Sequence, residues 1–333
     1  MTKKKAAFFG ESQERLDYVY ADGRREQIVE LVDLYPETIG LNNFDEHASR
    51  LKNLEVIFGT WNFSQLQRRH LKQLPNLKVV YYAAGSVQKF GRPILDHGIR
   101  LCSAWRANAV PVSEYTLAQI LLANKGHYRN IRDCQTFEGR KKHPFKGRGN
   151  YGATVALLGA GAIGTLVIDL LKPFHLDVIV FDPFLSDARA IELGVRKVSM
   201  EEAFSEGDVI SNHLANNEQT RGLLHAEFFS LFQDHAVFIN TGRGATVVEA
   251  DLISELEKRP TLTALLDVTM PEPPERRSPF YTLPNVYLTS HTAGSLNDEV
   301  IRMADYMIEE FQRYEKGEDH RHQVSLDMID TMA

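Results

Sequence analysis

The chain has 333 residues, 43% of them hydrophobic and 25% charged, which is ordinary for a globular protein and too long for one compact core. A net charge of −6 gives no electrostatic footprint for nucleic acid, and two cysteines, Cys102 and Cys134, cannot build a disulfide framework, which favours a reducing compartment. The basic start Lys3-Lys4-Lys5 is followed by only four apolar residues, too few for a signal peptide, and no later run could span a bilayer, so the expectation is a cytoplasmic protein without a membrane partner.

In chain order, short apolar runs alternate with stretches of helical spacing, the pattern of a parallel α/β protein. Strands are expected over residues 6–9, 55–59, 79–83 and 99–102, with helical spacing over 24–33 and 63–73. The basic, glycine-containing stretch 140–148 reads as an exposed loop feeding the next strand, since charge runs are usually solvated. Residues 155–158 then form an apolar strand that enters Gly159-Ala160-Gly161-Ala162-Ile163-Gly164. A bare GxGxxG is a weak signal. Here a strand precedes it, and Ile163, Leu166, Val167, Leu170 and Leu171 follow on one helical face. Gly159 permits a tight turn, Gly161 lets backbone approach a pyrophosphate, and Gly164 allows helix and strand to pack closely. The helix amino terminus supplies free N–H groups for the phosphates. The next strand, 178–181, ends in Asp182, where an acid accepts from ribose hydroxyls and repels a 2′-phosphate, so NAD is expected rather than NADP. Further strands are expected over 209–212, 237–240, 264–266 and 286–289. Residues 271–274 (Pro-Glu-Pro-Pro) read as a loop, because proline removes ladder donors. The segment 298–314 carries Val300, Met303, Ala304, Met307, Ile308 and Phe311 on one face and reads as an amphipathic helix.

In a doubly wound sheet, ligands lie outside the carboxyl ends of the strands. The residues that follow the strands here are the glycine loop, Asp182, His213-Leu214-Ala215-Asn216, Thr241-Gly242-Arg243-Gly244, Asp267 and Ser290-His291-Thr292. Reactive side chains are thus gathered at one edge. Arg243 stands between two glycines, and a guanidinium can hold a carboxylate through two parallel hydrogen bonds. His291 is a candidate proton donor near neutral pH, and no His/Cys spacing suggests a metal. Glu272 in the proline loop would favour the imidazolium if it reached His291. Each of these alone is more often a surface or packing residue.

The order Arg, Glu, His across strand ends resembles the D-isomer-specific 2-hydroxyacid dehydrogenases. Asn240-Thr241-Gly242-Arg243-Gly244 through Val247 and Glu249 is similar to that family's Asn-x-x-Arg-Gly signature. Leu266-Asp267-Val268 with Glu272-Pro273 is similar to its Asp-Val-x-x-x-Glu-Pro segment, and Thr289-Ser290-His291-Thr292-Ala293-Gly294 continues the likeness. Upstream, Asn108 with Val112-Ser113-Glu114, and Leu77-Lys78-Val79 with Ala84-Gly85-Ser86-Val87, extend it. The resemblance implies two doubly wound lobes, a Rossmann NAD-binding domain (107–295) inserted into a flavodoxin-like substrate domain (1–106 and 296–333), with the active site between them. It implies that Arg243 binds the substrate carboxylate and polarises its carbonyl, that His291 is the acid–base, and that Glu272 holds and charges His291. Backbone at Gly85 and Ser86 would hold the carboxylate. Gly159, Gly161, Ala162, Ile163, Gly164, Asp182, His213, Leu214, Ala215, Thr241 and Asp267 would bind the cofactor. It further implies a homodimer and a small 2-hydroxy or 2-oxo acid as substrate. Three departures stand out: Ser290 replaces the usual proline, Val248 the usual acid before Glu249, and Ser113 an alanine. An NAD(H)-sensing interaction protein of the corepressor type on the same fold is the alternative.

Overall fold

The computed structural model describes residues 2–141 and 148–329. Two compact units share the chain, one from Met1–Asn108 with Ser295–Met332 and the other from Ala109–Gly294. The Asn108 side-chain oxygen accepts the Ser295 N–H at 3.0 Å, so the residues at the two crossings are tied to each other.

The first unit holds strands β1 (Lys5–Phe9), β2 (Asp33–Leu34), β3 (Val56–Gly59), β4 (Val79–Tyr82) and β5 (Arg100–Ser103). They pair in parallel in the order β2-β1-β3-β4-β5, the flavodoxin-like arrangement. Apart from Lys5 and Arg100, the residues of β1, β3, β4 and β5 are buried, as expected of a parallel sheet covered on both faces. One of the covers comes from the far end of the chain. The helix Ile301–Glu315 packs Met303, Met307, Ile308 and Phe311 into the same core as Phe8, Phe58 and Tyr81, with the Phe311 ring edge-on to Phe58 at 5.7 Å.

The second unit holds β6 (Tyr151–Leu158), β7 (His175–Phe181), β8 (Arg196–Lys197), β9 (Val209–Asn212), β10 (Val237–Asn240), β11 (Thr263–Leu266) and β12 (Val286–Leu288). Their order is β12-β11-β10-β9-β6-β7-β8, parallel throughout. Counted from β6, that is the Rossmann order 3-2-1-4-5-6 with one strand added, and its switch point lies between β6 and β9.

Three expectations need revision. Only Arg68–Leu71 of the stretch 63–73 is helical. The preceding residues are held elsewhere: Phe63 fills the space beside Gly59, and Ser64 Oγ donates to Glu11 at 2.7 Å. The two-residue edge strands β2 and β8 were not anticipated. In the basic stretch 140–148, Arg140 and Lys141 close a helix, Phe137–Lys141, instead of opening a loop, and residues 142–147 lie outside the described residues. No helix among the described residues is long and apolar enough to cross a membrane.

Candidate active site

The register of the second sheet decides where its polar residues go. Leu158 pairs with Phe181 and Asn212, Asn212 with Asn240, Asn240 with Leu266, and Leu266 with Leu288. The strands therefore end level, and Gly159, Asp182, His213, Thr241, Asp267 and Thr289 each leave the sheet one residue later, along one edge.

The glycine loop fits a dinucleotide phosphate at that edge. Gly159 has φ +101°, a left-handed conformation that favours glycine, and its N–H donates to the Phe181 carbonyl at 2.7 Å. A Cβ on Gly164 would collide with the Gly159 carbonyl, whereas one on Gly161 would meet nothing within 4 Å. The backbone at Gly161 is thus left clear. The helix Ala162–Leu171 that follows has no side-chain cap at its amino end, so its first N–H groups remain available to an anion. Ala162 and Ile163 in its first turn are half-buried. Asp182 braces the loop from the neighbouring strand: its two oxygens accept the Ala160 and Phe184 N–H groups, each at 2.8 Å. Each oxygen keeps a further lone pair for a hydroxyl.

His213, at the end of β9, is buried, and desolvation pushes its imidazole down to about 4, so it is neutral at physiological pH. Its Nε2 meets Ser211 Oγ at 2.9 Å, while Nδ1 is buried with no partner among the described residues. A bound group with a donor or acceptor there would remove that deficit. Leu214 is buried and Ala215 half-buried beside it, and buried Thr241 lies 3.3 Å from Thr116, oxygen to oxygen.

Arg243 sits on a loop built by side chains that sequence reasoning had left without a role. Asn212 donates to Asn240 Oδ1 at 3.0 Å and to Thr246 Oγ1 at 2.8 Å, and Thr246 donates to the Arg243 carbonyl at 2.8 Å. Gly244 must be glycine, because a Cβ there would overlap the backbone of Thr269. The guanidinium donates to the Gly242 carbonyl at 2.7 Å. Burial pushes its pKa down, and the charge of Glu272 works against that shift.

His291 and Glu272 do meet: Nδ1 lies 2.7 Å from Glu272 Oε1, with both side chains near half exposure. Among the described residues the opposite ring nitrogen has no partner. The ring is carried on a strained backbone, φ +60°, in a region a non-glycine residue seldom adopts. Asp267 holds that turn. It is buried, its carboxylate accepts from Thr289 Oγ1 at 2.6 Å, the Thr292 N–H at 2.7 Å and the Ala293 N–H at 3.1 Å, and its carbonyl accepts the His291 N–H at 3.0 Å. With serine at position 290, the turn is held by Asp267 and the ring nitrogen by Glu272. The other departures are equally local. Ser113 is buried and donates to the Val110 carbonyl at 2.7 Å, and Val248 leaves the helix Glu249–Lys258 without a side-chain cap.

In the first unit, Gly85 and Ser86 are half-buried just past β4, and Ser103 Oγ donates to the Gly85 carbonyl. The cysteines are free, and the group Cys102, Glu310 and His320 is the one cluster of potential metal ligands among the described residues.

The family model for the NAD binding domain of D-isomer specific 2-hydroxyacid dehydrogenases matches residues 117–293, more than half of the chain. The D-3-phosphoglycerate dehydrogenase of Archaeoglobus fulgidus is 28% identical over 256 residues, 77% of this chain and 48% of that protein. The enzyme of that name from Mycobacterium bovis is 30% identical over 227 residues, 68% of this chain and 42% of its own. The chain therefore spans about half the length of the curated relatives it matches. Among solved structures, a phosphoglycerate oxidoreductase from Rhizobium etli superposes with a TM-score of 0.79 at 20% identity, covering 98% of this chain and 99% of that one, a likeness of fold. With a Rossmann sheet, a glycine loop shaped for a dinucleotide and the family's own pattern over most of the second unit, the chain belongs to the D-isomer specific 2-hydroxyacid dehydrogenases.

Proposed function

We propose that the chain transfers a hydride between NAD(H) and a small D-2-hydroxy acid or its 2-oxo counterpart, with His291 as the acid–base. One observation carries this reading. The His291–Glu272 pair, 2.7 Å apart, stands on the same sheet edge as Arg243 and the glycine loop, so proton, anion and dinucleotide chemistry share one border.

Bound NAD(H) supplies or takes the hydride. In the reducing direction His291 donates its Nε2 proton to the 2-oxo oxygen, and in oxidation it withdraws the hydroxyl proton. Glu272 accepts from Nδ1, which fixes the tautomer and the ring's orientation. Arg243 holds the substrate carboxylate and stabilises charge developing on the carbonyl oxygen. The first unit, with backbone at Gly85 and Ser86, acts as the substrate domain, and the second binds the cofactor through the loop 159–164, Asp182, His213, Leu214, Ala215, Thr241 and the Asp267 turn. A homodimer through the second unit is part of this reading.

The test is NADH oxidation with a panel of 2-oxo acids. His291→Ala should lower turnover by about 10²–10⁴-fold with NADH affinity retained, the usual worth of a general acid. Unchanged turnover in that variant would remove His291 from the chemistry, and inertness of the parent protein toward every 2-oxo acid would favour the sensing alternative.

A further inference from the structure

The segment that carries Glu272 is unusual in how little can hold it. Residues 270–274 read Met-Pro-Glu-Pro-Pro, so only Met270 and Glu272 have a backbone N–H to give. A strand ladder is therefore closed to this segment, and a carboxylate that must stay within hydrogen-bond distance of an imidazole sits on a loop without regular support. Among the described residues, its ties to the rest of the unit are few. Thr269 Oγ1 donates to the Pro271 carbonyl at 2.8 Å, which shapes the turn from within, and Tyr281 Oη donates to the Pro274 carbonyl at 3.2 Å. Gly244 lies against the Thr269 backbone so closely that no side chain fits between them, which sets the Arg243 loop beside the base of the segment.

A further tie is a charged one. Glu249 Oε1 accepts the Met270 N–H at 2.6 Å, a short charge-assisted bond made two residues before Glu272. Glu249 is the first residue of the helix Glu249–Lys258, where a carboxylate would ordinarily face the helix's own free N–H groups. Here it is half-buried, and desolvation pushes its pKa up against the opposing effect of the Met270 bond. A carboxylate held under partial burial at a helix start, bonded across to a proline-rich loop, is better explained by the loop than by the helix.

We infer that Glu249 is a positioning residue: by holding the Met270 N–H it fixes the segment 270–274 so that Glu272 meets His291. The inference deepens the functional reading above and rests on it. The bond that Glu249 makes is to the loop, at the Met270 N–H. Glu249 acts through Glu272, and a displacement of about 1 Å in a catalytic group is enough to lower rate by up to about 100-fold.

Glu249→Asp keeps the charge at the helix start but is one methylene too short to reach Met270. Glu249→Gln keeps both the reach and an oxygen acceptor. Expected results are a fall in kcat of about 10-fold or more for Glu249→Asp with NADH affinity within about twofold of the parent, and recovery of most of that loss in Glu249→Gln. In a Glu272→Gln background, Glu249→Asp should cause no further loss, because residues that act through one another are not additive. Parental kcat in Glu249→Asp, or a full extra loss in the double variant, overturns the inference. Should Glu249→Asp not fold, hydrogen exchange at the Met270 amide of the unsubstituted protein decides: exchange at the rate of an unprotected amide overturns it, and slow exchange supports it. If Glu272→Gln alone leaves kcat unchanged, the role of Glu272 itself fails, an outcome distinct from failure of Glu249 with Glu272 essential.

Discussion

Asp182 does two jobs with one carboxylate. It ties Ala160 of the glycine loop to the end of β7, and in the proposed function its remaining lone pairs receive a ribose. Asp182→Gly therefore removes a repulsion toward a 2′-phosphate and also loosens the loop. NADH affinity should fall by about 10–100-fold, the worth of hydrogen bonds to a charged group, while NADPH affinity falls less. The two cofactors titrated side by side check it, and a preference for NADH left at its parental ratio would contradict it. His213 carries a different consequence. Its folded pKa of about 4 lies below the ordinary 6.5, so the unfolded chain binds a proton that the folded chain refuses across that interval. The associated stability is complete above pH 6.5 and is lost as pH falls toward 4. Chemical unfolding at pH 7 and pH 5 should differ by up to about 2 kcal/mol from this residue, and His213→Gln should shrink the difference. A pH dependence unchanged by that substitution would mean that His213 is not held neutral by burial.

At the scale of elements, what the sequence made legible was the sheet edge. The apolar runs 155–158, 209–212, 237–240 and 264–266 lie within β6, β9, β10 and β11, and the glycine spacing stood out because each glycine answers a local steric demand. Elements whose existence depends on a partner were hidden. The strand β2 is two residues long and pairs only through Lys5 with Asp33 and Ala6 with Leu34. Its polar-apolar pair has no period to detect. The stretch 63–73 shows the opposite failure, helical spacing overridden because Phe63 and Ser64 are bound elsewhere. The network Asn212–Asn240–Thr246 that shapes the Arg243 loop was hidden for a related reason, since its members lie 28 and 34 residues apart. Helix ends follow a local rule that the sequence analysis did not use. Ser199 caps Met200–Glu206 with Glu202 returning the bond, whereas Val248 gives Glu249–Lys258 no side-chain cap. Val248 has extended backbone, φ −81° and ψ 94°, compatible with a capping residue. Val248→Asp should stabilise the second unit by about 1 kcal/mol, read as a shift in the urea midpoint, provided the added carboxylate is tolerated beside Glu249. A lower midpoint would show that partial burial of the apolar side chain at Val248 outweighs the cap.

On the scale of the whole molecule, the first unit is assembled from both ends of the chain, and its core shows why. Val300, Met303, Met307, Ile308 and Phe311 are buried among residues of β1, β3 and β4. Beyond that helix, the chain returns to the edge of the sheet: the Ser103 N–H donates to the His322 carbonyl, the Val324 N–H donates to the Leu101 carbonyl, and Cys102 bridges Gln323. Buried Glu310 fastens this return by accepting the Arg321 and His322 N–H groups at 3.0 and 3.1 Å. Within that network His320 also meets Tyr81 Oη at 2.9 Å, so Cys102, Glu310 and His320 are explained as a structural clasp without invoking an ion. Full burial of an aliphatic or aromatic side chain contributes about 1.5–3 kcal/mol, so the five named residues together contribute roughly 10 kcal/mol, as much as the net stability of a domain. A chain ending at Gly294 should therefore leave residues 1–108 unfolded and open to proteolysis, while 109–294, which draws nothing from the tail for its cores, keeps its cooperative unfolding and its affinity for NADH. Limited proteolysis and NADH titration of the shortened chain measure the two halves of this expectation separately. Protease resistance of residues 1–108 in that chain would show that the C-terminal helix covers the first core without being needed to form it.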